Sequence, residues 1–445
     1  MKTPIYDFVK EYSGGGVARF HMPGHKGRGA LGCERYDITE IGGADVLYHA
    51  DGIIAESEES ASALFGTEHS FYSTEGSTLA IKAMLALALQ NAHSGCKRRK
   101  ILAARNVHSA FINACALLDF DVEWIGSAQE HICAVSVSAD DVKQVIAGSD
   151  EPPLALYVTS PDYLGNVMDI EALARVCDEQ GILLLVDNAH GAYLAFLDKS
   201  RHPIALGAHM CADSAHKTLP VLTGGAYLHV SRKCADLAKN ARNALRLFAS
   251  TSPSYLTLCS LDLANTELEN GYADRIRATA KEVDELRSEL GENGVLTVGN
   301  EPLKLTLDCH FFGYLGTRVA QILREKNIEC EFADNRYAVL MISPENTSAE
   351  LDLLRSVLLS IEKKTPIFAD APTVSAKGAR ACSIREAVLA PHETVKVENA
   401  LGRICGAPAV SCPPAIPIAV SGEVIDQNTV ELLRFYGIES IEVLK

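Results

Sequence analysis

The amino-acid sequence predicts an α/β protein with a mostly parallel central sheet, together with a smaller α+β domain. From Ser77 onward, short runs of aliphatic and β-branched residues alternate with helical patterns, which is typical of right-handed strand–helix–strand units. The run Leu183-Leu184-Leu185-Val186 is continuously apolar, as in a strand that helices cover on both faces. Ligands of such sheets bind beyond the carboxyl ends of the strands, so we expect functional residues directly after the predicted strands.

The individual elements follow from their hydrophobic patterns. The predicted strands are Ile101–Ala104, Asp121–Ile125, Leu154–Thr159, Ile182–Val186, His209–Asp213 and Ala226–Val230. Helices are predicted over Thr78–His93 and from about His108. Helical sequence resumes over Leu261–Gly291, a strand, a helix and further strands are predicted within Leu303–Ile342, and a last helix is predicted over Ser348–Lys363.

Composition changes at both ends of the chain suggest the domain organisation. Residues 1–40 are rich in glycine and predict an irregular arm that packs against the rest without forming a long element. The prolines within 406–420 exclude a central strand there. We therefore predict an N-terminal arm (1–40), a large domain (41–262), a small α+β domain (263–365) and a C-terminal domain (366–445).

The overall composition argues against several classes of protein. The 445 residues include 41 Lys and Arg against 57 Asp and Glu, whereas proteins that coat nucleic acids concentrate basic residues. The 13 cysteines are scattered without a CxxC pair, which is typical of reduced thiols and not of a disulfide framework or a zinc site. The first residues lack an apolar signal segment, and long uncharged apolar runs are missing. We expect a cytoplasmic protein that binds neither nucleic acid nor membrane.

Two chemically useful side chains follow predicted strands. Asp187 comes directly after the apolar strand, where a carboxylate acts either as a helix cap or as a ligand. Lys217 lies in Ser214-Ala215-His216-Lys217-Thr218, after the strand that ends at Asp213. Partial burial among small residues favours a neutral amine, which is a nucleophile toward aldehydes. Taken alone, each residue has a commoner structural explanation, a cap for Asp187 and a solvated amine for Lys217.

Two further features belong to the same edge of the predicted sheet. The segment 71–78 runs from a short strand into a helix, with Gly76 at the turn and the hydroxyls of Ser77 and Thr78 at the helix start, which suits either a phosphate or an ordinary N-cap. His108 opens the next helix, where an imidazole can stack on a planar ring, move protons or cap the helix. An amine, an acid, a phosphate seat and a flat ring together suit pyridoxal 5′-phosphate (PLP), an aldehyde whose ring nitrogen requires a carboxylate.

Several longer segments together identify a protein family more specifically than any of these single residues. They are Phe20-His21-Met22-Pro23-Gly24-His25-Lys26-Gly27, Asp37-Ile38-Thr39-Glu40, Ala63-Leu64-Phe65-Gly66 through Thr78, the segments at Asp187 and Lys217, Ser250-Thr251-Ser252-Pro253-Ser254-Tyr255, and Gly402-Arg403-Ile404 followed by Pro413-Pro414-Ala415-Ile416-Pro417. In these segments, and over nearly its whole length, the chain resembles the ornithine, lysine and arginine decarboxylase family of fold-type I PLP enzymes, in the short form without an N-terminal wing domain.

The resemblance implies roles for the candidate site residues. Lys217 would be the Schiff-base lysine and Asp187 the partner of the pyridinium nitrogen. His108 and Ala189 would lie against the two faces of the ring. The phosphate would be held by Gly76, Ser77, Thr78, Ser214 and His216. The resemblance implies no metal.

The resemblance also implies the activity and the assembly. The reaction would be PLP-dependent decarboxylation of a basic amino acid, with arginine favoured over lysine and ornithine, to carbon dioxide and an amine precursor of polyamines. Either Lys217 or His190 would return the proton to Cα. The substrate cation would be selected by an acid, for which the sequence offers Glu331, Asp334, Glu398 and Glu423. A homodimer or an assembly of dimers with interfacial sites is implied, with residues 250–255 and the N-terminal arm reaching the neighbouring subunit.

Two alternatives remain open from the sequence. One is an aminotransferase of the same fold, and the other is a catalytically degenerate homologue that acts as a binding protein. Some positions also depart from the family pattern: Ala415 stands where glycine is usual, Ser421 and Cys412 replace a proline and an aromatic residue, and Glu75 replaces an asparagine in the phosphate segment. The departures in the C-terminal segment would affect how the substrate is positioned and not how the cofactor is bound.

Overall fold

A computed structural model of the chain describes residues 1–91, 99–126, 131–149, 151–368, 372–374, 378–410 and 415–445. Its strands are β1 (His69–Ser73), β2 (Lys100–Ala104), β3 (Asp121–Ile125), β4 (Ala155–Thr159), β5 (Leu183–Asp187), β6 (Met210–Asp213), β7 (Ala226–Val230), β8 (Thr297–Val298), β9 (Lys304–Asp308), β10 (Phe332–Ala333), β11 (Tyr337–Met341), β12 (His392–Lys396), β13 (Ala409–Val410), β14 (Pro417–Ala419) and β15 (Ser440–Leu444).

The α-helices of the same residues are α1 (Pro4–Gly14), α2 (Ile53–Phe65), α3 (Gly76–Asn91), α4 (Ser109–Leu118), α5 (Ala139–Ala147), α6 (Ile170–Gln180), α7 (Ala215–Thr218), α8 (Ala235–Arg246), α9 (Tyr255–Glu267), α10 (Ala273–Glu292), α11 (Gly316–Arg324), α12 (Ser348–Ser360), α13 (Ile384–Leu389) and α14 (Gln427–Phe435). The predicted helix end at His93 and the family segment around Cys412, Pro413 and Pro414 lie outside the described residues.

The large sheet has the strand order β1-β7-β6-β5-β4-β2-β3. β5 runs parallel to β6 and β2 runs parallel to β3, whereas β7 is antiparallel to both β6 and β1. The predicted strands are confirmed to within one residue at each end. Every residue of β5 is buried, as its continuous apolar run predicts.

The chain divides into two compact units, Met1–Arg98 with Leu154–Leu156 and Ile170–Asp274, and Arg99–Pro153 with Tyr157–Asp169 and Arg275–Lys445. In the first unit, α3 packs on β6 and β7, and α8 packs on α3. Most residues of α3 are buried, because its sequence is apolar nearly all round. The three boundaries between the four domains predicted from the sequence stay a prediction.

The second unit contains a four-stranded sheet of order β10-β11-β9-β8, with β11 antiparallel to both β10 and β9. Helices α10, α11 and α12 contribute apolar residues to the core on this sheet, among them Leu286, Val319 and Leu358. Two further pairs of antiparallel strands, β12 with β15 and β13 with β14, lie in the C-terminal part of the chain. β14 begins at Pro417, in agreement with the prediction that this proline-rich segment forms no central strand.

The prediction that residues 1–40 contain no long element is wrong. Residues 4–14 form the 11-residue helix α1, which begins with proline at a position that tolerates it and buries Ile5 and Val9 one turn apart. The carboxylate of Asp262 accepts hydrogen bonds from the backbone N–H of Ile5 and of Tyr6, at 2.9 and 3.0 Å. The glycines at 14–16 therefore end a helix, whereas residues 15–40 form neither helix nor strand, as the prediction of an irregular segment requires.

The helical segment predicted from Leu261 begins earlier than expected. Helix α9 starts at Tyr255, where the Ser254 side chain accepts a hydrogen bond from the Thr257 N–H. Asn270 and Gly271 interrupt the following turn, and α10 continues beyond them. The sequence also missed β8, whose two residues are too short to give a periodic pattern.

The cysteines agree with the prediction of reduced thiols. All eleven cysteines within the described residues are free, and eight of them are buried. Burial raises the pKa of several of these thiols, among them Cys115 and Cys177. In the same described part of the chain, none of the helices combines the length and the apolar character that crossing a membrane requires.

Candidate active site

Three candidate residues, Asp187, Ala189 and His190, lie at the end of β5 and in the loop that follows it. Asp187 is the last residue of the strand and is 2% exposed, and Asn188, Ala189 and His190 follow it and are also buried. The Ala189 N–H donates to the Asp187 carboxylate at 3.3 Å, and the Gly191 N–H donates to the Asn188 carbonyl at 2.8 Å. The acid is thus held in a tight turn at the carboxyl end of a parallel strand.

Lys217 lies in the short helix α7, directly after β6. Its N–H donates to the Ser214 carbonyl at 3.0 Å, and its side chain is partly buried. The Nζ atom lies 3.1 Å from Nε2 of His190. Because a hydrogen bond between an amine and an imidazole needs one donor and one acceptor, the two groups hold a proton between them. His190 was predicted as an alternative to Lys217 for proton return, and the structure places the two together.

Residues of the predicted phosphate seat lie at the start of α3. Gly76 has a φ of +72°, and its N–H donates to the Gly224 carbonyl at 2.8 Å. The Ser214 hydroxyl donates to the Ser77 hydroxyl at 2.7 Å, which joins the end of β6 to the start of α3. Thr78 follows on an exposed part of the first turn. The first N–H groups of a helix have no partner within the helix, so the seat offers backbone and hydroxyl donors together.

His216 completes this set from α7. Its Nδ1 lies 2.9 Å from the Gly225 carbonyl, and because a carbonyl only accepts, Nδ1 carries the proton. Burial lowers the pKa of His216, although this hydrogen bond partly opposes the shift. Gly224 has a φ of +96°, and a Cβ at this position would lie 2.8 Å from the Thr74 carbonyl oxygen, so the loop requires glycine there.

The residues of the first unit fit PLP. A Cβ placed on Gly76 would meet no atom within 4 Å, so open space lies in front of the helix start that carries Ser77. The donor set there is anion-binding, the amine of Lys217 can bond an aldehyde, and Asp187 supplies a buried carboxylate. The structure therefore joins the predicted phosphate residues at the start of α3 to the end of β6, with an amine in α7 and an acid at the end of β5.

His108 belongs to the second unit and is the N-cap residue of α4. Its Nδ1 accepts a hydrogen bond from the Ala110 N–H at 3.1 Å, so the neutral ring carries its proton on Nε2. The capping role that the sequence left open for this residue is thus present. Its stacking on the cofactor ring stays a prediction.

A buried polar network beside the site was missed by the sequence analysis. Asp213, the last residue of β6, is fully buried and accepts hydrogen bonds from Asn188 Nδ2, His202 Nε2 and His229 Nε2, at 2.7, 2.9 and 3.2 Å. Burial would raise the pKa of the Asp213 carboxyl, but the two histidines outweigh this effect and hold its pKa well below the usual range. The sequence signal was an acid directly before Ser214, at the end of a predicted strand.

The four acids considered for substrate selection have different surroundings. Glu423 forms a buried ion pair with Arg105 at 2.8 Å, and Asp334 is paired with His131 at 2.5 Å. Glu398 lies 3.9 Å from Arg434 on the surface, and Glu331 accepts a hydrogen bond from the Tyr163 hydroxyl at 2.7 Å. Glu423 and Asp334 therefore have structural partners.

Two departures from the family pattern have structural consequences. Ala415 adopts a φ of +56°, a left-handed conformation in which glycine is usual. Glu75 accepts a hydrogen bond from the Ser250 N–H at 2.8 Å and so ties the segment 250–255 to the turn before α3. The contact between this segment and a neighbouring subunit stays a prediction.

Comparison with known families gives two matches. Residues 3–298 match the model of the Orn/Lys/Arg decarboxylase major domain, and residues 362–440 match that of the Orn/Lys/Arg decarboxylase C-terminal domain. Among curated proteins, an arginine decarboxylase of Halalkalibacterium halodurans is 28% identical over 97% of this chain and 93% of its own length. The constitutive lysine decarboxylase of Escherichia coli is 24% identical over 64% of this chain and 44% of its own length.

Solved structures agree on the fold. The lysine decarboxylase of Francisella novicida superposes with a TM-score of 0.79 at 16% identity, covering 100% of this chain and 81% of that protein. A more distant structure, described as SPT with PLP, gives a TM-score of 0.54 at 14% identity over 69% of this chain and 75% of its own. These similarities confirm the predicted fold-type I architecture.

Proposed function

Because the chain belongs to the Orn/Lys/Arg decarboxylase family, we propose that it catalyses the PLP-dependent decarboxylation of a basic amino acid, with arginine favoured. The observation that carries the proposal is the pairing of the Lys217 amine with His190, beside a buried acid at the end of the neighbouring strand. The arginine decarboxylases among its curated relatives, which align over nearly the whole chain, support arginine.

Each residue of the site has a defined task in this proposal. Lys217 supplies the amine that holds the cofactor aldehyde, and Asp187 keeps a proton on the ring nitrogen. Ser77, Thr78, Ser214, His216 and Gly76 would hold the phosphate, and the family resemblance implies that Ala189 and His108 would lie against the ring. The bound cofactor supplies the electron sink that accepts the charge left at Cα when carbon dioxide departs.

Proton return is the task of Lys217 and His190. The two nitrogens share a proton at 3.1 Å, and both side chains lie largely away from solvent. A proton delivered by one of them can be replaced through the other, so the pair functions as a general acid at the carbon that has lost carbon dioxide. The burial of His190 limits the access of water to this pair.

The experiment that tests the activity is a product assay of the purified protein with PLP. Arginine, lysine, ornithine and a neutral amino acid are supplied separately, each with and without a keto acid as amino-group acceptor, and the carbon dioxide, amine and new keto acid that form are measured. We expect carbon dioxide and the corresponding amine from a basic amino acid, fastest from arginine. New keto acid without carbon dioxide would establish an aminotransferase, and no product from any substrate would favour the degenerate homologue.

The proposal includes a homodimer or an assembly of dimers, as the family resemblance implies. Sedimentation of the active protein checks this part independently. An active species of monomer mass would contradict it.

A further inference from the structure

We propose that Asp213 is a positioning residue of the cofactor site, which acts through Asn188 on the loop that carries Asp187 and His190. This inference rests on the proposed function, because the loop matters for catalysis only if it holds the cofactor. Asp213 itself does not belong to the residues assigned to the cofactor.

The carboxylate of Asp213 is enclosed by donors. Asn188 Nδ2, His202 Nε2 and His229 Nε2 lie within 3.2 Å of its oxygens, and the Cys211 thiol lies 3.7 Å from Oδ1. The side chain is fully buried, as are both imidazoles. A carboxylate offers about four acceptor positions, so this set of donors occupies its capacity. In Asp213→Asn, an amide NH₂ group would replace one carboxylate oxygen and would face one of these donors without being able to accept its hydrogen bond.

Asn188 transmits the constraint to the cofactor loop. Because a carboxylate only accepts, the Asn188 amide must turn its Nδ2 toward Asp213, and the backbone N–H of Asn188 donates to the Ala212 carbonyl at 2.9 Å. Asn188 is thus fixed at two points to the end of β6. It stands between Asp187 and Ala189, two of the residues assigned to the cofactor ring, and two residues before His190.

The charge of the network can be derived from its geometry. His202 Nδ1 accepts the Ile204 N–H at 3.4 Å, so its Nε2 carries the proton that faces Asp213. His229 Nδ1 lies 2.8 Å from the Ser70 hydroxyl, which can donate to it, and its Nε2 faces Asp213. Burial lowers the pKa of His229, which keeps this ring neutral. Two neutral imidazoles therefore donate to one ionised carboxylate, a strong and directional arrangement.

A metal ion is the competing explanation for this cluster. The ligand atoms of His202, Cys211 and Asp213 lie within 4.8 Å of one another, which is close enough for one ion. However, Asp213 is engaged by hydrogen-bond donors from several sides, and burial raises the pKa of Cys211, which favours the thiol over the thiolate that binds metals. We therefore assign a hydrogen-bonded network. Stoichiometric metal in the purified protein, measured by elemental analysis, would overturn this assignment.

The test compares Asp213→Asn, Asn188→Ala and the double variant with the wild type. The dissociation constant of PLP is measured by titrating the apoprotein, and the orientation of the bound cofactor is followed by visible circular dichroism. We expect each single variant to raise the dissociation constant by about tenfold and to change the dichroism, as the loss of a supporting hydrogen bond does at other sites. Since Asp213 acts through Asn188, adding Asp213→Asn to Asn188→Ala should change the constant less than about twofold.

Asp262→Asn is the matched control. Asp262 is also a fully buried carboxylate of the first unit with several hydrogen-bond donors, but its partners are the start of α1 and the Ser57 hydroxyl. This variant should leave the dissociation constant and the dichroism unchanged. If Asp213 had only a structural role, Asp213→Asn and Asn188→Ala would change the dissociation constant of PLP independently, and their effects would add in the double variant.

The outcomes separate this inference from the proposed function. If the wild type binds PLP and releases carbon dioxide but the single variants keep the wild-type constant and dichroism, the inference is wrong and the function stands. If the wild type binds no PLP, both are overturned. If Asp213→Asn does not fold, Asn188→Ala alone tests the inference, because it removes the same hydrogen bond between residues 188 and 213. An unchanged dissociation constant of PLP in Asn188→Ala would then contradict the inference.

Discussion

The Nζ atom of Lys217 lies 3.1 Å from Nε2 of His190, so the two residues form a proton-sharing pair at the ends of neighbouring strands. In the proposed mechanism, this pair returns the proton to Cα. His190→Gln keeps a polar group of similar length but cannot take up and release a proton. We expect kcat to fall by about 10²-fold, with a loss of the pH dependence that the pair imposes.

The measurement for this variant is the pH profile of kcat, together with the dissociation constant of PLP. His209→Gln is the control, since His209 is a largely buried histidine before the start of β6, at the other end of the strand from Lys217. A wild-type kcat for His190→Gln would show that Lys217 acts without this partner.

The ion pair between Arg105 and Glu423 is predicted to stabilise the second unit. Both side chains are buried, and Arg105 also donates to the Ile418 carbonyl at 3.2 Å. Glu423→Ala leaves the guanidinium charge buried without its partner, so we expect the free energy of unfolding to fall by about 3–5 kcal/mol. The double variant Arg105→Met/Glu423→Leu contains no unpaired charge and should recover most of this loss.

Urea unfolding measures these differences. Glu393→Ala, which removes the partner of the partly exposed Arg403, is the control and should cost less than about 1 kcal/mol. If Glu423→Ala cost no more than this control, the pair would have no structural role, and Glu423 would return as a candidate for substrate selection.

Ala415 is predicted to be a strained position. Its φ of +56° disfavours any residue with a Cβ, and its carbonyl accepts a hydrogen bond from the Ser109 N–H at the start of α4. Ala415→Gly should therefore raise the free energy of unfolding by about 1 kcal/mol. Ala114→Gly, within α4, should lower it by about the same amount, and a loss of stability in Ala415→Gly would contradict the strain.

Asp262 is predicted to make stability depend on pH. Burial raises the pKa of its carboxyl to about 6, although the Ser57 hydroxyl and the N–H groups of Tyr6 and Ile5 favour the ionised form. The folded protein therefore holds this proton more tightly than the unfolded chain does. Proton binding at Asp262 thus stabilises the fold at low pH, and this stabilisation is lost as the pH rises from about 4 through 6. The loss amounts to about 3 kcal/mol.

Asp262→Asn removes this titration. Relative to the wild type, the variant should gain about 3 kcal/mol in the free energy of unfolding between pH 4 and pH 7, measured by denaturant titration at each pH. Asp236→Asn, at an exposed aspartate whose pKa Lys239 lowers, should show no such gain. A constant difference between Asp262→Asn and the wild type over this range would show that Asp262 titrates normally.

The sequence predicted the large sheet well because its strands are buried on both faces. β5 reads as one uninterrupted apolar run that ends at Asp187, and Lys217 lies in the short helix that follows β6. Local signals of this kind need no knowledge of distant residues. Helix α1 was missed although Ile5 and Val9 have helical spacing, because the glycines at its end dominated the interpretation.

Contacts between distant parts of the chain could not be predicted in this way. Asp213 is surrounded by Asn188, His202 and His229, which come from separate segments. Glu423 and Arg105 are 318 residues apart in the sequence, so no local pattern links them and Glu423 was predicted only as a possible substrate ligand. The folding of the second unit buries both charges, and their pairing follows from the cost of leaving either one alone.

The central claim is that Lys217 forms the covalent link to PLP. The direct measurement is borohydride reduction of the PLP-saturated protein, followed by mass spectrometry of its peptides, with Lys217→Ala as the control. We predict a pyridoxyl adduct on Lys217 in the wild type, and neither this adduct nor decarboxylation in the variant. A wild type that carries no adduct, or carries it on another lysine, would contradict the account.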